Sequence, residues 1–319
     1  MRLRPLRMRK GDAGDPLKAA GRKKRRLKYI AVLPSFITLI NGACGFFAIV
    51  FASRSPVLGY TLPFLRRANV TSLSMAGYMI LLAMIADLLD GRVARLTRTT
   101  SSFGGQLDSL SDAISFGVAP AFIMLKLTEV HLDNLKIEYL RFSILLGRGI
   151  FFAAILYVVC AIVRLARFNV ENEEDEAAHM NFSGLPSPAG AGVVVSLVIL
   201  HQQFLNGAVY QTQEFNRIFE IVSLSVFPAI TLLAGILMVS RVYYPHVANQ
   251  LLRSKKTLTS LLLIFAAGIL VVWNLQLALA AGFCGFAFFG IFRWVFVRLF
   301  RKRQPKADVP AAPQSEQQR

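Results

Sequence analysis

Six runs of about twenty apolar residues, at roughly 30 to 53, 68 to 88, 103 to 125, 146 to 166, 185 to 205 and 219 to 240, leave this chain little choice of fold. Such a run crosses the roughly 30 Å hydrocarbon core of a bilayer as an α-helix, because every backbone N–H and C=O must be satisfied within the segment. A further stretch, 257 to 292, carries no Asp, Glu, Lys or Arg. At about 1.5 Å per residue it is too long for one straight span. A tight reversal near Asn274 and Gln276 would split it in two and bring the expected count to about eight. A hydrophobic content of 55% and a mean hydropathy of +0.51 exclude a soluble domain of this size. The fold class is all-α, a polytopic transmembrane helical bundle.

Charge orients the bundle. The formal net charge is +18, and residues 1 to 28 hold twelve Lys or Arg against two Asp, more than half of the excess. A basic tail beside a first membrane helix reads as positive-inside signalling and attraction to anionic lipid, not as a nucleic-acid arm. With that tail in the cytosol, Arg92, Arg95 and Arg98, then Arg164 and Arg167, then Arg253, Lys255 and Lys256, then Arg301, Lys302 and Arg303 fall on the same side. Arg54, Arg66 and Arg67 fall opposite, and both termini are expected in the cytosol. The tail is not a secretory signal, since the apolar run after it is long enough to span.

The expected organisation is a basic cytosolic tail (1–28), a core of about six transmembrane helices (29–245), two additional helices (246–300) and a disordered tail (301–319). Residues 126 to 143 and 206 to 217 read as outer loops, and the acidic run from Glu171 to Glu176 as a solvated cytosolic loop. Gly184, Pro186 and Pro188 mark the start of the fifth span. Cys44, Cys160 and Cys284 lie in apolar segments and are expected to pack. His131, His179, His201 and His246 show no ligand spacing, so zinc is not expected.

Against this background four aspartates stand out: Asp87, Asp90, Asp108 and Asp112. An acid at a membrane helix centre costs roughly 2.5 to 3.5 kcal/mol, so four together imply a compensating cation and a task. Asp87 and Asp90 are three apart, and Asp90 and Ala94 four apart, which puts them on one helical face near the end of the second run. Gly104, Asp108 and Asp112 repeat every four residues and form a stripe at the start of the third. The polar stretch from Thr97 to Ser102 suits a turn, with Ser101 or Ser102 able to cap the next helix. Two consecutive antiparallel helices can thus face their acids across a short gap.

Oxygen-only ligands favour Mg²⁺, Mn²⁺ or Ca²⁺ over zinc. Two such ions, about 3.5 to 4 Å apart, would clamp a diphosphate and polarise the phosphorus under attack. Gly91, Ala94 and Gly104 leave room for a bulky planar group, and Arg95 offers a positive fork to phosphate oxygens.

The string from Asp87 to Asp112, D-x-x-D-G-x-x-A-R, eight residues, then G-x-x-x-D-x-x-x-D, resembles the signature of the CDP-alcohol phosphatidyltransferase family at every position. The resemblance implies that Asp87, Asp90, Asp108 and Asp112 bind two divalent ions, Mg²⁺ or Mn²⁺. It makes Asp112 the base that deprotonates the acceptor alcohol. Gly91, Ala94, Arg95 and Gly104, with Thr38 on the first helix, would line the CDP pocket.

Further segments look like the phosphatidylserine synthase branch: Leu33 to Gly45, Ser111 to Pro120, Arg164 to Asn169, Phe182 to Pro188 and, more weakly, Leu237 to Pro245. Ser35 departs from that branch, where asparagine would follow the proline. The branch implies transfer of a phosphatidyl group from CDP-diacylglycerol to the hydroxyl of L-serine. Arg164, Arg167, Asn169 and Ser111 are the candidates to hold serine. A homodimer in a bacterial inner membrane, with its active site facing the cytosol, is the expected setting. The rival readings are the same transfer to glycerol 3-phosphate, an inositol phosphate or choline, and a cation transporter using the acids as its binding site.

Overall fold

The computed structural model describes residues 16–54, 71–97, 102–135, 140–174, 184–206, 213–242, 244, 271 and 273–300. The described chain is helical throughout apart from short turns: α1 (Pro16–Ser53), α2 (Ser72–Thr97), α3 (Ser102–Asp112), a π-helical segment (Ala113–Val118), α4 (Ala119–Leu135), α5 (Leu140–Glu174), α6 (Ser187–Asn206), α7 (Gln213–Val239) and α8 (Leu275–Phe300). Seven stretches among the described residues are long and apolar enough to cross a membrane, with α3, the π segment and α4 forming one, Phe103–Leu132. The protein is a multi-pass membrane protein. Six spans coincide with the expected runs, and the seventh, Leu275–Phe296, begins where a reversal near Asn274 was expected. Asn274 caps α8, its Oδ1 accepting the Leu277 N–H at 3.0 Å. The other half of the long apolar stretch lies outside the described residues.

Several boundaries differ from the sequence reading. Residues 16–28 of the basic tail are helical and continuous with the first span. Ala, Leu, Lys and Arg are strong helix formers, and Pro16 stands at the first helical position, where its missing N–H costs nothing. Residues 126–135, expected in an outer loop, are the last turns of α4, and α5 begins at Leu140. The third span is therefore 30 residues, about 45 Å long, and must tilt or project beyond the hydrocarbon. Similarly α7 begins at Gln213, inside the second expected outer loop. Glu171–Glu174, expected in a loop, continue α5.

Neighbouring helices alternate in direction, so the C-terminal ends of α2, α5 and α7 gather with the N-terminal ends of α3 and α6. Small residues set the close approaches. On α1, a Cβ at Gly42 would stand 3.2 Å from Ser111 Oγ, and Gly45 lies directly against the Ser115 backbone. On α7, a Cβ at Gly235 would stand 3.0 Å from Tyr157 Cα on α5. The core between these contacts is formed by fully buried side chains such as Ile80, Phe116, Met124, Tyr157 and Val195.

The π segment follows Asp112 directly. Its widened turn is closed by the Ala119 N–H on the Ile114 carbonyl, five residues back. Two side chains brace it: Tyr157 Oη donates to the Phe116 carbonyl at 2.9 Å, and Ser115 Oγ to the Asn41 carbonyl at 2.9 Å. Inserting a π turn rotates α4 relative to α3, so α3 presents its acid stripe to α2 while α4 packs its own face into the core.

Candidate active site

The consecutive helices α2 and α3 bring their acids together. Ligand-capable oxygens of Asp87, Asp90 and Asp108 all lie within 4.8 Å of one another. Asp90 is buried, and Asp87 and Asp108 are half-buried. Two of their oxygens, Asp90 Oδ2 and Asp108 Oδ1, are buried with no hydrogen-bond partner among the described residues. A buried carboxylate oxygen without a donor is costly, and a hard divalent cation is what an oxygen-only donor set of this kind accepts. The three acids can hold a metal ion, as the sequence spacing implies.

Asp112 is placed differently. It is buried one turn beyond Asp108, outside that group of three, and its Oδ1 accepts a hydrogen bond of 2.8 Å from Asn41 Nδ2 on α1. Asn41 is wholly buried, and its backbone is tied to Ser115 across the same interface. The sequence reading passed over Asn41. The signal was available, since an asparagine inside an apolar span is itself expensive to insert and asks for a partner. Thr38, one turn before Asn41, is buried and donates to the Pro34 carbonyl at 3.0 Å. Thus α1 contributes directly to the acid pocket.

The remaining predicted residues divide into two groups. Gly91 faces open space, with nothing within 4 Å of where a Cβ would stand, and Arg95 is exposed, its Nε donating to the Gly91 carbonyl at 3.0 Å. Ala94 and Gly104 are half-buried on the facing ends of α2 and α3. These four lie within a few residues of the acids on the same two helices. Arg164, Asn169 and Ser111 make contacts within the protein. Arg164 Nε donates to the Leu185 carbonyl at 2.7 Å and Nη1 to Ser187 Oγ at 3.2 Å, bracing the start of α6. Asn169 Nδ2 donates to Ser109 Oγ at 2.8 Å, which pins α3 beside Asp108. Ser111 is buried against Gly42. Arg167 is half-buried on α5, three residues from Arg164.

Gly184 does more than mark the start of a span. Its φ is +93°, its N–H donates to the Val242 carbonyl at 2.8 Å, and a Cβ there would collide with the Met238 carbonyl. With Leu185 N–H on the Leu237 carbonyl at 3.0 Å, this turn joins the end of α7 to the site.

The geometry and the sequence lead to one assignment. The chain belongs to the CDP-alcohol phosphatidyltransferase family, whose sequence pattern matches residues 31–227, from α1 into α7. The family is divalent-metal dependent, in keeping with the carboxylate group. Among curated relatives, a Helicobacter pylori protein named CDP-diacylglycerol--serine O-phosphatidyltransferase is 34% identical over 70% of this chain and 81% of its own length. A Methanocaldococcus jannaschii protein of the same name is 29% identical over 70% of this chain and 79% of its own. A Saccharomyces cerevisiae protein of that name is 33% identical over 52% of each chain.

Proposed function

We infer that this protein transfers the phosphatidyl group of CDP-diacylglycerol to the hydroxyl of L-serine, giving phosphatidylserine and CMP. The observation that carries the reading is the convergence of Asp87, Asp90 and Asp108 with two buried oxygens left without partners, beside open space at Gly91. The names of the relatives support serine as the acceptor.

The chain's own residues have distinct tasks in this reading. Asp87, Asp90 and Asp108 hold Mg²⁺ or Mn²⁺, with Asp112 completing the set for two ions. When bound, such cations offset the charge of the diphosphate and polarise the phosphorus. Gly91, Ala94 and Gly104 admit the cytidine, with Thr38 at the floor of the pocket, and Arg95 meets phosphate oxygens. Asp112 takes the proton of the serine hydroxyl as its oxygen forms a bond to the phosphorus bearing the diacylglycerol. The bond from that phosphorus to the CMP oxygen breaks, and CMP leaves with the electron pair.

Asn41 orients Asp112 through its 2.8 Å hydrogen bond, so the carboxylate presents its other oxygen to the substrate. Arg167 is the cation assigned to the serine carboxylate, while Arg164, one turn earlier, holds Leu185 and Ser187.

Arg92 and Arg95 at the end of α2, and Arg164 and Arg167 near the end of α5, favour a site facing the cytosol, with a bacterial inner membrane as the setting. The chain acts as a homodimer in this proposal, with exposed Phe and Leu side chains facing lipid or the second copy.

The test is incubation of the purified protein with CDP-diacylglycerol, Mn²⁺ and each of several labelled alcohols. Phosphatidylserine and CMP formed in equal amounts, only with serine, are expected. Turnover with glycerol 3-phosphate, an inositol phosphate or choline in place of serine would reassign the acceptor. Cation flux without CMP release would replace the enzyme by a transporter.

A further inference from the structure

The acid pocket spans two helices that hardly touch. Among the described residues the backbones of α2 and α3 have almost no direct packing, whereas α3 packs along α1 and meets α5 at a few points. Asp87 and Asp90 on α2 meet Asp108 on α3 side chain to side chain, with oxygens within 4.8 Å of one another. The position of Asp108 is therefore set by whatever holds α3 from its other sides.

Two holds are present. On one side α1 supplies Asn41, whose Nδ2 donates to Asp112 Oδ1 at 2.8 Å. On the other side α5 supplies Asn169, near its C-terminal end. Asn169 Nδ2 donates to Ser109 Oγ at 2.8 Å, and Asn169 Oδ1 stands 3.0 Å from the same oxygen. The Ser109 hydroxyl also reaches the Gly105 carbonyl at 3.1 Å, one turn back in α3. The post from which Asn169 acts is itself fixed. Five residues earlier, Arg164 ties α5 to Leu185 and Ser187 at the start of α6.

Ser109 follows Asp108 directly, so the two side chains leave α3 about 100° apart around its axis. One faces α5 while the other faces the acids of α2. Since Cα atoms alone lie about 2.3 Å from a helix axis, an aspartate oxygen stands roughly 5 to 6 Å out, and rotating α3 by about 10° displaces it by about 1 Å. A divalent ion holds its ligand distances to within about 0.2 Å. Loss of rotational restraint on α3 thus weakens the grip of the acids on a cation without touching any acid.

We propose that Asn169 is a positioning residue: through Ser109 it fixes the rotation of α3 and so sets the distance of Asp108 from Asp87 and Asp90 at which a divalent cation is held. Its amide serves the fold of the pocket and not the binding of serine. This rests on the reading of the aspartates as the metal pocket.

The experiment titrates Mn²⁺ into the full-length protein in detergent and follows the paramagnetic resonance signal of the free ion. The native chain is compared with Asn169→Ala, Ser109→Ala, the double variant, Ser109→Thr and Asp108→Asn. Asn169→Ala and Ser109→Ala should each weaken Mn²⁺ binding about 3- to 10-fold, the effect of one neutral hydrogen bond. The double variant should be no weaker than either single one, because both remove the same link. Ser109→Thr keeps the hydroxyl and should stay within about twofold of the native chain. Ser109→Ala breaks the link from the other helix should Asn169→Ala fail to fold. In kinetics, the Mn²⁺ concentration giving half-maximal CMP release should rise in Asn169→Ala with KM for serine unchanged, and excess Mn²⁺ should restore kcat.

Native Mn²⁺ affinity in Asn169→Ala, additive losses in the double variant, or a raised KM for serine that excess Mn²⁺ does not correct would each overturn the positioning role and leave the metal pocket standing. No Mn²⁺ uptake by the native chain, or uptake unaltered in Asp108→Asn, would remove the pocket and the positioning role together.

Discussion

The two ends of this bundle solve the same problem with different chemistry. At one end, buried polar groups are largely paired within the protein: Asn41 with Asp112, Asn169 with Ser109, Arg164 with Leu185 and Ser187. The oxygens left over there among the described residues, on Asp90, Asp108 and Asn41, are few and hard. At the other end, His131 packs on His201, which is wedged between Phe219 and Phe227, and their four nitrogens have no partner among the described residues. The difference teaches that unpaired buried atoms of one chemical type gather at each end of the bundle. Carboxylate oxygens converge where a diphosphate must be handled, whereas at the other end two imidazoles pack on each other and on phenylalanine rings.

Removing metal is the strongest challenge to the acid end. Chelation is expected to reduce CMP release to background, with recovery on adding Mg²⁺ or Mn²⁺. Undiminished turnover in chelator would detach the carboxylates from the chemistry. Next in size, Asp108→Asn removes one charge and one orphaned oxygen while conserving shape. Steady-state kinetics should show kcat lower by about 10³-fold or more, in line with losing a preorganised electrostatic contact at the reacting centre. A change below tenfold would show that Asp87 and Asp90 suffice.

Asn41→Ala tests whether pairing at the acid end serves catalysis or only packing. Asp112 would lose its donor at 2.8 Å but keep its position on α3. The expectation is a kcat reduced about 10- to 100-fold with KM for CDP-diacylglycerol little moved, since a hydrogen bond to a charged group contributes about 1.5 to 3 kcal/mol. A raised KM at constant kcat would instead place Asn41 in nucleotide binding.

Legibility in the sequence divides along the same line. The spans could be read because apolar runs of bilayer length are local, and the aspartates because three- and four-residue spacing fixes a helical face. Asn41 escaped notice because its partner is 71 positions away, and the contact of His131 with His201 because they are 70 apart on helices whose packing no spacing rule encodes. Helix ends were misjudged for a different reason. Hydrophobicity reports where the bilayer stops, whereas α1, α4 and α5 continue beyond it through residues that form helix well in water. Charge alone points Arg164 at substrate, and no spacing rule reveals that it also donates to the Leu185 carbonyl 21 positions away.

The smallest expected effect isolates the π segment between the two ends. Tyr157 is fully buried, and its hydroxyl reaches the Phe116 carbonyl at 2.9 Å. Tyr157→Phe preserves the ring and its packing but leaves that carbonyl without its donor, at a cost of about 1 to 3 kcal/mol. If the segment serves only to rotate α4 relative to α3, the variant should melt at a lower temperature while kcat stays within about twofold of the native value, because Asp108 and Asp112 lie before the π turn and are held from α5 and α1. A tenfold loss of kcat with unchanged melting would mean the reverse. The π turn would then set the position of Asp112, and the two ends would be coupled through the third span.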